Sequence, residues 1–157
     1  MQIYYRVNGA TNYSSSTASK TVAVKYGTTY YYYGTASTGY TMSSCTLSSP
    51  CSGTMGAGAV TKSLTATANS YNLTLNKGTG VSTIYYKVNG ASSYTSSTSN
   101  KTLSVKYGTT YYYYGTASTG YTMNSCTSSS PCSGTMGTSA VTKTLTAKSS
   151  GGSGPFT

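Results

Sequence analysis

The residues of this chain with the most definite chemistry are its four cysteines. They fall as two pairs, Cys45/Cys51 and Cys126/Cys132, each with five residues between. Even number and identical spacing predict two local disulfides, and with them an oxidising, extracellular setting. Zinc is a poor alternative, because one C-x5-C pair per repeat without histidine cannot complete four ligands. A bridge closing so short a loop contributes about 2 kcal/mol in the chain-entropy picture. It is a staple on a fold that something else must hold.

Other catalytic chemistry is missing from the composition. The 157 residues include ten Lys and Arg but no Asp, Glu or His, for a net charge of +10. General acid–base catalysis near neutral pH needs a group that titrates there. No base is at hand to activate a serine, a disulfide-bonded cysteine is no nucleophile, and calcium or magnesium would find no carboxylate. The expectation is a protein that is not an enzyme and uses no cofactor, metal or small-molecule substrate. A basic balance suggests an anionic partner such as nucleic acid, anionic lipid or wall polymer. Here the charges are scattered, with no basic run and no basic amphipathic helix, which favours solvated strand faces over a dedicated polyanion site.

The elements that carry the cysteines come twice. The stretch from Tyr26 to Cys51 returns almost unchanged from Tyr107 to Cys132, and pairing residues 3 to 68 with residues 84 to 149 without a gap leaves fifteen differences. A period of this size predicts two small domains, 1–68 and 69–148, followed by a Gly/Ser-rich tail at 149–157 with linker composition. Domains so small bury a limited core and rely on staples or on packing against a neighbour. Ser, Thr, Gly and Tyr dominate, and no stretch keeps a 3.6-residue apolar period, so the fold class is all-β: two tandem small antiparallel modules of four or five strands.

Ile3 to Val7 alternates as a strand and runs into Asn8-Gly9, a strong hairpin signal. Ala10 to Ser19 is too polar for a buried strand and reads as a loop or frayed edge. Thr21 to Lys25 alternates with Val22 and Val24 on one face, and Ala59 to Ala66 reads as a closing strand. In the tyrosine run, Tyr30, Tyr32 and Gly34 point one way and Tyr31 and Tyr33 the other. Tyr30, Tyr32, Tyr111 and Tyr113 are assigned to the core. Tyr31, Tyr33 and Lys25, with Tyr112, Tyr114 and Lys106, form a candidate contact surface for a glycan or an anionic polymer.

The repeats differ at their start. Tyr71 to Asn76 (YNLTLN) forms an opening strand for the second repeat and has no counterpart before Ile3. The chain is therefore expected either to be cut from a longer array or to leave a sheet edge open, placed at Ile3 to Val7, for strand addition by another chain. With no signal peptide, no run of eighteen apolar residues and no lipidation motif, a secreted form would be a mature piece or a fragment.

From LTLNKGTGVSTIYYKVNGA through GTTYYYYGTASTGYTMNSC to VTKTLTA, the order of signals resembles the bacterial surface repeats known as divergent InlB B-repeats. The family layout is an opening strand, a Gly-x-Gly turn, a strand, a Gly before an alternating strand, a Gly-Tyr pair and a closing strand. Its opening strand maps to Leu73–Asn76, its turn to Gly78-Thr79-Gly80 and its pair to Gly120-Tyr121. Met123 stands at the family's aromatic position and Cys126 at its tryptophan. The resemblance implies extracellular repeat modules, often stalks or adhesin segments. The expected function is thus a non-enzymatic structural or adhesive repeat of a bacterial surface or secreted protein, with other copies or neighbouring repeats as partners. Two alternatives are a filament subunit assembled by strand addition and a polyanion- or glycan-binding module.

Overall fold

A computed structural model of the chain describes residues 1–150; residues 151–157, most of the expected tail, lie outside the described residues. Among the described residues all regular structure is β, divided between two compact units, Met1–Asn69 and Ser70–Thr157. The first contains β1 (Gln2–Val7), β2 (Ser14–Ser16), β3 (Thr29–Thr35), β4 (Tyr40–Met42), β5 (Cys51–Thr54) and β6 (Ala66–Ala68). The second contains β7 (Ser70–Lys77), β8 (Val81–Val88), β9 (Thr95–Ser97), β10 (Lys101–Lys106), β11 (Thr110–Ala117), β12 (Tyr121–Met123), β13 (Cys132–Thr135), β14 (Val141–Leu145) and β15 (Ala147–Ser149).

The second unit is built from two main sheets. One has the order β13-β11-β8-β9 and the other β10-β7-β14, with a short β12-β15 pair beside them. Alternation decides which side chains enter the core, because successive residues of a strand face opposite ways. Leu73 and Leu75 of β7, Val105 of β10 and Leu145 of β14 meet Val81, Ile84, Tyr111, Tyr113 and Met136 from the other layer in one buried cluster. The assignment of Tyr111 and Tyr113 to the core holds. Most pairings are antiparallel, but β14 runs parallel to β7.

Glycine makes the tyrosine packing possible. Tyr111 lies opposite Gly134 across the β11–β13 ladder, and a Cβ at Gly134 would stand 2.5 Å from the Tyr111 phenolic oxygen. Tyr30 has the same relation to Gly53. Both disulfides form, Cys45–Cys51 and Cys126–Cys132. Each ties the loop to the tyrosine strand: the Gly34 and Gly115 amides donate to the carbonyls of Cys45 and Cys126 at 3.0 and 2.9 Å. Cys126 and Cys132 also pack against the core cluster.

The first unit repeats only one of the two main sheets, β2-β1-β3-β5, with the short β4-β6 pair. Here several sequence expectations change. Asn8-Gly9 makes a turn, with the Ala10 amide on the Val7 carbonyl at 3.1 Å, but only Gly9 has positive φ (97°). A two-residue hairpin turn with both residues in that region is therefore not formed, and the chain returns farther on, with Ser14 opposite Tyr5. Ile3–Val7 is not an edge, because β1 lies between β2 and β3. Thr21–Lys25 and Ala59–Thr65 carry no strand, although their counterparts form β10 and β14. The physical reason is a missing partner.

Candidate strand-acceptor site

In the second unit β10 and β14 do not touch as partners; each pairs with β7, which lies between them. The antiparallel ladder sets Leu75 opposite Lys101, Leu73 opposite Leu103 and Tyr71 opposite Val105. The parallel ladder sets Leu73 opposite Val141, Leu75 opposite Lys143 and Lys77 opposite Leu145. One central strand thus satisfies backbone groups on both neighbours while placing Leu73 and Leu75 in the core, where they are 1 % and 0 % exposed. Alternation in the sequence SYNLTLNK does both at once.

The first unit keeps both neighbours and has no central strand. Residues 20–25 match 101–106 except for Val22 in place of Leu103 and Ala23 in place of Ser104, and residues 60–64 match 141–145 except for Ser63 in place of Thr144. Between these two segments lies a groove of about 440 Å³, walled by Val22, Val24, Val60 and Leu64 and floored by Ile3, Tyr5, Tyr30, Tyr32 and Met55. Among the described residues, no backbone hydrogen bond joins residues 20–24 or 60–64 to another segment. Two strand-competent segments therefore present unpaired amides and carbonyls to the same gap.

Burial follows the same division. Ile84, Val105, Tyr111, Tyr113, Met136 and Leu145 are buried, whereas their counterparts Ile3, Val24, Tyr30, Tyr32, Met55 and Leu64 are only half-buried. Val22 and Val60 are left 39 % and 45 % exposed. A second cavity continues the groove's pattern, lined by Met1, Ser37, Tyr40, Leu64, Thr65 and Ala66. In the second unit that region holds the Gly78–Val81 turn: the Gly78 amide donates to Leu145 O at 2.7 Å, and Gly80 O accepts from the Ser118 amide at 2.8 Å. Groove and cavity together trace the path of residues 70–81.

No family model, no curated protein and no solved structure matches this chain. The site's meaning rests on its own geometry.

The four tyrosines of the candidate contact surface lie on the opposite face of the tyrosine strand, whereas Lys106 belongs to β10 in the other sheet. Tyr33 stacks on Tyr4 with ring centres 4.6 Å apart and planes 7° apart, and Tyr13 meets it edge-on at 5.0 Å. Tyr114, Tyr85 and Tyr94 repeat this arrangement. Arg6 sits 4.2 Å over the Tyr31 ring and 5.1 Å from Tyr13, while Lys87 lies 5.0 Å from Tyr94 and 5.4 Å from Tyr112. These cation–ring contacts are of the kind worth about 0.5–1 kcal/mol at exposed sites. Burial, with repulsion from neighbouring tyrosines, holds the Tyr33 and Tyr94 hydroxyls above their ordinary pKa.

The structure brings Tyr31 and Tyr33, and likewise Tyr112 and Tyr114, into these clusters. The cations over the rings are Arg6 and Lys87, not Lys25 and Lys106, which are exposed. Ring faces already engaged within the chain have less surface to offer a sugar or a base. Sequence reasoning missed the groove walls. The signal was there: residues 21–25 and 59–65 both read as strands, and each requires a partner that the first repeat does not supply.

Proposed function

We propose that this chain is a non-enzymatic structural repeat module of a bacterial surface or secreted protein, and that its first unit is completed by a β-strand from outside that unit. The observation that carries this is the vacant central position between residues 20–25 and 60–64, on walls whose second-unit copies hold β7. The disulfides support an oxidising setting. The absence of Asp, Glu and His from the sequence supports a non-catalytic role. The resemblance to divergent InlB B-repeats agrees with a surface module. Strand addition also supports the filament alternative, since a sheet completed by a neighbour's strand is a joint between polypeptides.

The test is to supply the strand in cis. Placing the sequence of residues 70–81 directly ahead of Met1 restores the second unit's connection in register, because Ile3 then follows as Ile84 does. The first unit's thermal transition is expected to rise by ~10 °C, on the scale of 4–8 °C per kcal/mol for a domain of this size. An unchanged transition would remove the proposal.

A further inference from the structure

Resting on that reading, we propose that the groove of the first unit binds a β-strand of the β7 pattern from outside residues 1–150, and takes it up even when the strand is a separate polypeptide. The strand runs antiparallel to residues 20–25 and parallel to residues 60–64. Register follows from the second unit. Leu73 faces Leu103 and Val141, Tyr71 faces Val105, and Lys77 faces Leu145, so the incoming leucine sits between Val22 and Val60, its tyrosine beside Val24 and its last residue beside Leu64. The side chains meeting the floor are then an aromatic and two leucines at alternate positions. The backbone pairs with both walls.

Three observations select this occupant. The walls and floor are near copies of surfaces that already hold SYNLTLNK: of the residues naming the groove above, only Val22 differs from its counterpart. Strand arithmetic disfavours a second intact copy as donor. Each copy has two central positions and one β7, so donating β7 empties its own second unit, where Leu73 and Leu75 are fully buried. Charge points the same way. Lys20 and Lys62 line the groove, and every copy carries +10, so a short strand of low charge approaches more easily than another whole chain.

The experiment adds the synthetic peptide Ser-Tyr-Asn-Leu-Thr-Leu-Asn-Lys to the full, oxidised chain and follows amide hydrogen exchange and binding. Saturable one-to-one binding is expected, with exchange slowed roughly 100-fold across residues 20–25 and 60–64. A peptide of the same composition with its central threonine and second leucine exchanged breaks the alternation and is expected to bind at least tenfold more weakly. A spin label on the peptide's terminal lysine should broaden the amides of Lys20 and Leu64 more strongly than those of Lys25 and Val60. No binding, equal binding of the two peptides, or stronger broadening at Lys25 and Val60 than at Lys20 and Leu64 would overturn the proposal. Oligomers in which β7 loses its protection would instead make a second copy the donor and overturn the choice of partner. If the N-terminally extended chain is stabilised and the free peptide does not bind, this inference fails while the incomplete first unit stands; if neither occurs, both fail.

Discussion

Leu73 lies directly opposite Leu103 across the β7–β10 ladder, and both contribute to the core of the second unit. Val22 takes the place of Leu103 in the first unit, faces no strand and is 39 % exposed. The two units have nearly the same sequence over their shared length and differ in what their apolar residues can be buried against. One central strand accounts for the difference, since it supplies two core leucines and the hydrogen-bond partners of two further strands.

Core truncations should therefore act unequally. Leu75→Ala removes a fully buried side chain from the second unit and is expected to cost ~2–5 kcal/mol. Val22→Ala in the first unit removes an exposed side chain and is expected to fall within ~0.5 kcal/mol. Urea unfolding of each variant, followed by tyrosine signals assigned to each unit, measures both. Equal losses would contradict the assignment of the core to the second unit.

The tyrosine–glycine pairs give a second asymmetry. A methyl group at Gly134 would stand 2.5 Å from the Tyr111 hydroxyl, and Tyr111 is 3 % exposed, held in the core. Tyr30 over Gly53 is half-buried beside the groove and has room to swing aside. Gly134→Ala is expected to cost ~1–3 kcal/mol by overpacking, and Gly53→Ala clearly less. Thermal melts of the two variants decide this, and a larger loss for Gly53→Ala would contradict it.

Much of the architecture was legible from alternation and turn residues. The tyrosine strand, the core face it presents in the second unit, β7 and the disulfides follow from local pattern, because each depends on residues close in sequence. In the first unit the expectation reverses: Tyr33, assigned to the contact face, is 7 % exposed beneath Tyr4 and Tyr13, while Tyr30 and Tyr32 are only half-buried because no central strand covers them. Thr21–Lys25 reads as a strand but forms none, because a strand is a relation between segments: nearly the same alternating residues form β10 when β7 lies beside them and remain unpaired otherwise. The open edge expected at Ile3–Val7 is absent for a similar reason. Adjacency in sequence suggested that a missing opening strand would expose its immediate neighbour, whereas β7 belongs to the sheet opposite β8. Cation–ring contacts at Arg6 and Lys87 were also hidden, since they depend on the β1–β3 register.

Alkaline pH should weaken the fold. Burial first, and neighbouring tyrosines second, raise Tyr33, Tyr94 and Tyr113 above the ordinary tyrosine value of 10.0. The unfolded chain then loses these protons before the folded chain does, so stability falls as pH rises. Their contribution is complete below pH 10.0 and is lost as pH climbs through the raised folded values. Tyrosinate absorbance and circular dichroism recorded together in an alkaline titration should show late tyrosine ionisation coinciding with loss of structure. Complete ionisation with the fold intact would contradict it.

The central claim is that the first unit lacks its middle strand while the second unit holds one, and amide hydrogen exchange on the unmodified, oxidised chain tests it most directly. Residues 101–106 and 141–145 sit in ladders with β7 and are expected to exchange slowly, while the matching amides at 20–25 and 60–64 exchange at rates close to those of an open chain. Comparable protection at the two sets of positions would mean that the groove is already closed, and would contradict the account.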